Sequence, residues 1–157
     1  MTFWRVLRDQ PDELVRVCAL TPHSRAEHAA AWPIPLTLPD VERARRVWVR
    51  LTQGRDGHLR RTGWRHHQVS GGRSMPVTLA GYVGRFGFAA ERLAGVSLEC
   101  LPALEVIGKY GRDDHALLYV DPPYLGQTRS AHVYRHEMTD ETAHRSLADA
   151  LHSCEAS

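Results

Sequence analysis

The sequence predicts an α/β fold, part of a parallel sheet with crossover helices, joined to a mainly helical first half. Three observations lead there. Residues 116–120, Ala-Leu-Leu-Tyr-Val, are an apolar run of the kind that fills a strand buried on both faces. Pro122 and Pro123 follow at once, and residues without an amide proton end a ladder. Around this run, short apolar segments alternate with helical patterns, as crossover units require.

Taken in order, residues 2–8 read as the end of a helix, and Pro11 with Asp12 and Glu13 opens another that reaches about Leu20. Ser24 and Glu27 have capping-box spacing ahead of an Ala-rich segment that must stop by Trp32, before Pro33 and Pro35. Thr37 is placed to cap a third helix with the apolar stripe Val41, Ala44, Val47, Trp48 and Leu51. Arg43, Arg45, Arg46 and Arg50 lie largely off that stripe, as a solvated face or a phosphate-contacting one.

Residues 53–73 break the pattern. They hold Arg55, Arg60, Arg61, Arg65 and Arg73, with three histidines, five glycines and one acid, Asp56. Too little of this segment is apolar to build a core, so it reads as a loop. It is either a basic arm that follows DNA phosphates, with Trp64 available to stack or wedge, or a solvated linker with Trp64 folded back as an anchor.

Beyond it, Leu79, Tyr82, Val83, Phe86, Ala90 and Leu93 suggest one helix face, weakened by glycines at 81, 84 and 87. A short strand is expected at 96–100, a helix at 103–110 and the central strand at 115–120. Thr139 opens a helix carrying Leu147, Ala150 and Leu151, and 153–157 would begin a further strand. The chain then divides into residues 1–94, mainly helical with a basic loop at 53–75, and residues 95–157, the partial α/β part.

Composition excludes several classes. A hydrophobic content of 43% with 24% charge is that of a globular domain, and no apolar stretch approaches the roughly 18 residues of a membrane span. Cys18, Cys100 and Cys154 are scattered without metal-ligand spacing, which points to reduced thiols and no metal. The net charge of +2 is mild, and the ten histidines add cationic character just below neutral pH.

The chemistry-bearing feature is Asp121-Pro122-Pro123-Tyr124 at the end of the central run, where ligands bind in open α/β sheets. An exocyclic nucleobase amine is a poor nucleophile because its lone pair is delocalised into the ring. A carboxylate such as Asp121 and a carbonyl such as that of Pro122 can accept its two N–H bonds and favour a nucleophilic geometry. Proline restricts its own φ and the residue before it, which holds that carbonyl in place. Tyr124 can stack on a base flipped out of its duplex.

This tetrapeptide is the signature of the Dam-like family of adenine-specific DNA N6-methyltransferases, and the chain resembles that family. The motif also occurs in cytosine-N4 and ribosomal RNA guanine methyltransferases. The wider stretch from Leu117 to Asp140, LLYVDPPYLGQTRSAHVYRHEMTD, is similar to one phage and bacterial branch. So are FWRVLRD at 3–9, LTPHSRAE at 20–27, SLE at 97–99 and ALEVI at 103–107. The resemblance implies a partial Rossmann-like fold of the S-adenosylmethionine-dependent methyltransferases, with a helical target-recognition insertion. It implies Asp121, Pro122, Pro123 and Tyr124 as catalytic residues, with Asp121 also near the cofactor, and double-stranded DNA as the partner. DNA contacts are expected from Arg55, Arg60, Arg61, Trp64 and Arg65, and after the motif from Arg129 and Arg135. A bacterial or phage-encoded cytoplasmic enzyme of restriction-modification type is the setting implied.

Two departures qualify this. Family members carry a Gly-rich cofactor loop ahead of the matched region, whereas Gly71-Gly72 lies in the basic arm and no strand precedes Gly54 or Gly57. Leu101-Pro102 stands where an acid near the cofactor adenine is common. The expectation is therefore a methyltransferase truncated at both ends, with impaired or no activity alone and with exposed sheet edges that favour self-association. The alternatives are a non-catalytic DNA-binding remnant and an RNA-base methyltransferase. A proton acceptor at His136 is unnecessary, because the methylated amine becomes acidic and loses its proton to water.

Overall fold

The computed structural model describes residues 1–55, 57, 61–66, 72–123, 138 and 140–156. They form helices α1 (Thr2–Asp9), α2 (Pro11–Ala19), α3 (Arg25–Ala30), α4 (Asp40–Gln53), α5 (Met75–Val83), α6 (Phe86–Ala94), α7 (Ala103–Tyr110) and α8 (Glu141–His152). The chain divides into two compact units, Met1–Leu98 and Glu99–Ser157.

The first unit is a helical cluster. Pro11 opens α2 with Asp12 and Glu13 in its first turn, where a missing amide proton costs nothing and carboxylates meet the positive end of the helix dipole. Ser24 caps α3 by accepting from the amide of Ala26, while Glu27 reaches across to Arg45 and leaves the capping box half made. The cap expected at Thr37 is not used: α4 begins at Asp40 with Pro39 at its N-cap. The stripe expected along α4 enters the core in part: Val41 packs against it, Leu51 is exposed, and Val49, outside the expected stripe, is fully buried. Ala44, Trp48 and Val49 are buried with Val6 and Leu7 of α1, Leu14 and Cys18 of α2, and Met75, Leu79 and Val83 of α5. Phe86 of α6 joins them, with its ring 5.9 Å from that of Phe3 at 80°. Burial among these neighbours pushes the Cys18 thiol up to about 12. The single face expected across residues 79–93 is broken into two helices at Gly84 and Arg85.

The second unit pairs α7 with α8. Asp140 caps α8 by accepting from the amide of Ala143 at 2.6 Å. Ile107 of α7 and Leu147 of α8 are buried. The turn after α7 is tied to the end of α8, because the carbonyl of Gly111 accepts from the amides of Glu155 (2.7 Å) and Ala156 (3.2 Å). A Cβ at Gly111 would lie 2.5 Å from Cys154 Sγ, so only glycine admits this approach.

The α/β expectation is overturned. Among the described residues there is no strand and no sheet, only an isolated antiparallel bridge between Gly54 and Trp64. Residues 96–100 and 116–120, expected as strands, carry no regular structure, and neither does 153–156. A strand exists only as a member of a ladder, since each of its amides and carbonyls needs a partner in the next strand. The apolar run is exposed instead of buried on two faces, with Leu117 at 80% and Tyr119 at 91% exposure. The expected partial Rossmann-like sheet is therefore not formed, and self-association through its edges loses its basis. No helix of the described residues is long and apolar enough to cross a membrane.

Candidate functional site

The sequence-predicted site residues fall in two places. Asp121, Pro122 and Pro123 lie in the second unit, after the unpaired run. The segment before them leaves α7 through tight turns: the amide of Asp113 bonds the carbonyl of Tyr110, and Asp113 Oδ1 accepts from the amide of His115 at 3.0 Å. Asp121 is exposed and has no ion-pair or hydrogen-bond partner among the described residues, whereas both prolines are half-buried. Its carboxylate is thus free to accept hydrogen bonds. Tyr124, Arg129, Arg135 and His136 lie outside the described residues, as does Arg60 in the arm.

The described part of the arm is built from its stem outward. The end of α4 and the returning strand-like piece are clamped by Arg55 N–H to the Gly63 carbonyl (2.9 Å) and Arg65 N–H to the Gln53 carbonyl (2.8 Å). Gln53 is fully buried and bonds in two directions. Its Oε1 accepts from the Ser24 amide at 3.1 Å, and its Nε2 donates to the Pro22 carbonyl at 3.1 Å. His23 Nε2 lies 2.9 Å from the Arg65 carbonyl, and the Arg65 guanidinium donates to the Thr52 carbonyl at 2.6 Å. Gly54 is required here: a Cβ would meet the Arg50 carbonyl at 2.6 Å and Thr62 Oγ1 at 2.9 Å.

Trp64 is stacked within the chain. Its ring lies 4.7 Å from that of His23 at 23°, and the Arg25 guanidinium carbon is 4.9 Å from the ring centre. Such a cation over an indole is attracted by the negative face of the ring. Arg65 is turned into the stem, whereas Arg55, lying over Gly63, and Arg61 are exposed and carry no carboxylate partner among the described residues. The buried His28 has its pKa lowered, first by burial and then by the charges of Arg61 and Arg50.

The arginines of α4 face inward to partners. Glu42 accepts from Arg45 (2.6 Å) and Arg46 (2.8 Å), Arg45 also reaches Glu27 at 2.9 Å, and Arg43 pairs with Asp40 at 2.8 Å. Arg50 donates twice to the Ala31 carbonyl and lies 3.4 Å over the Trp32 ring. Their charge is spent inside the unit rather than held for a ligand.

The stem residues Gln53, His23 and Arg25 were not singled out by sequence reasoning. For Gln53 a signal existed: it sits four residues after Val49, on the buried face of α4, where an amide needs partners supplied by other segments.

A methyl donor finds no matching site in the described residues. No Gly-rich turn joins a strand to a helix, and Leu101-Pro102 presents no carboxylate. Glu99, the nearest acid, is engaged by Tyr110 Oη at 2.6 Å and by Lys109 at 3.9 Å.

No curated protein and no solved structure matches the chain. Residues 86–157 match the family model of the D12 class N6 adenine-specific DNA methyltransferases. The matched residues take in α6, Asp121-Pro122-Pro123-Tyr124 and α8, and this segment of the chain is similar to that family.

Proposed function

We propose that the chain acts on the exocyclic N6 amine of adenine in double-stranded DNA, with S-adenosylmethionine as the expected methyl donor. The observation that carries this reading is Asp121, exposed and unpaired at the start of a double-proline turn inside the matched segment. Its carboxylate and the Pro122 carbonyl accept the two N–H bonds of the amine, which draws the nitrogen lone pair out of conjugation. Pro123 keeps the turn from relaxing, and Tyr124 stacks on the flipped base. The arm supplies affinity: Arg55, Arg60 and Arg61 meet backbone phosphates while Arg65, which the sequence placed among them, holds the stem with Trp64, and Arg129 and Arg135 act beside the base.

The test is transfer of tritium from methyl-labelled S-adenosylmethionine to adenine in duplex DNA. Asp121→Ala is expected to lower the rate on the order of 100-fold or more, in the range for loss of one preorganised polar group. Full activity in that variant would sink the assignment. A second reading, binding of DNA without methyl transfer, is favoured by the poor fit of the described residues to a donor. It predicts duplex binding with no tritium incorporation and no calorimetric heat on addition of S-adenosylmethionine.

A further inference from the structure

The first unit carries a second basic feature that the arm and the acceptor turn do not use. A groove of about 470 Å³ runs along α5, lined by Arg73, Val77, Thr78, Gly81, Tyr82 and Arg85. Residues 77, 78, 81 and 82 recur at helical spacing on α5, so they share one face, and Arg85 stands in the turn that follows. At Gly81 an added Cβ would meet nothing within 4 Å, which leaves the floor open. No acid lines the groove, and α5 itself has no charged residue, so its field comes from Arg73 and Arg85.

Like Arg55 and Arg61 of the arm, those two arginines differ from the ion-paired ones of the unit. Arg5, Arg8, Arg16, Arg43, Arg45 and Arg46 each hold a carboxylate. Arg73 has no such partner among the described residues, and Arg85 reaches only the Gly81 carbonyl at 3.3 Å. The Arg85 guanidinium carbon lies 5.1 Å from the Tyr82 ring centre, a contact that narrows its freedom while leaving its N–H fork open to a ligand. Two unpaired guanidiniums in one acid-free groove suit a phosphate oxygen, which a fork of N–H donors engages in a bidentate manner.

We infer that this groove is a binding site for a DNA backbone phosphodiester, an inference that rests on the reading of DNA as substrate. Arg73 closes the basic arm in sequence, so a backbone followed by the arm is delivered to α5. The groove contacts phosphate and not base edges, and so adds affinity without sequence preference.

The experiment is fluorescence anisotropy of the full chain on a labelled duplex over a series of KCl concentrations. The Arg73→Gln/Arg85→Gln double variant should bind more weakly, equally so on unrelated sequences. Its plot of log affinity against log salt should be shallower by about 2, one for each lost phosphate contact. Arg73→Lys/Arg85→Lys should restore much of the slope, and Arg92→Gln, an exposed arginine of α6 outside the groove, should leave it unchanged. A wild-type slope in the double glutamine variant overturns the groove while leaving the proposed function standing. An equal loss in Arg92→Gln overturns it as a general charge effect. Absence of duplex binding by the wild-type chain overturns the proposed function and the groove together.

Discussion

At the scale of single residues, the arm's stem rests on Gln53. A buried side-chain amide is tolerated only when both ends are bonded, and here the Ser24 amide and Pro22 carbonyl do that. Gln53→Leu keeps the volume but leaves both backbone groups without a partner. The expected cost is about 2 kcal/mol, read as a fall in the thermal midpoint of roughly 10 °C for a unit of this size. A midpoint within a degree of wild type would mean that the stem does not depend on these bonds. Much of this was hidden from the sequence. The register of Gln53 on α4 could be read, but its partners Pro22 and Ser24 lie about thirty residues away, and no local pattern names them. Asp121 is the opposite case, a residue whose proposed role rests on four consecutive letters.

At the scale of elements, α4 organises the first unit through its apolar stripe and its ion pairs. Burial is partial around Glu42, yet hydrogen bonds from Arg45 and Arg46 hold its carboxyl down to about 2, against the cost of desolvation. A depressed carboxylate stabilises above its unfolded value near 4.5 and loses that contribution as pH falls toward 2. Glu42→Gln should therefore lower stability at pH 7, by about 0.5–1 kcal/mol for pairs that remain partly exposed. In urea titrations the gap between wild type and variant should close between pH 4.5 and pH 2; a gap constant across that window would show that the charge is not the cause. Helices with local signals of their own, such as Pro11 at the start of α2 and Leu147 on α8, were close to legible in sequence. The elements at 96–100 and 116–120 were not, because a strand is defined by a neighbour and an apolar run does not say whether it has one.

At the scale of the whole molecule, the two compact units differ in how much they bury. Among the described residues the first holds twelve buried apolar side chains, from Val6 to Phe86, and the second holds two, Ile107 and Leu147. Each fully buried aliphatic or aromatic side chain contributes about 1.5–3 kcal/mol, so resistance to opening should be concentrated in the first unit. Hydrogen-exchange mass spectrometry on the full chain is expected to show slow amides in α1, α2 and α4, and exchange faster by at least tenfold in α7 and α8. Equal protection in both would contradict that division.

The order of residues alone settled most helix positions, because a proline at the first helical turn or an apolar stripe acts over a few neighbouring residues. Tertiary structure alone decided three other things. It turned Arg43, Arg45 and Arg46 of α4 to carboxylates, it set Trp64 against His23 and Arg25, and it left residues 116–120 outside any ladder of the described residues. Each depends on which distant groups arrive within a few ångströms, and pairing of that kind is a property of the folded chain rather than of any stretch within it.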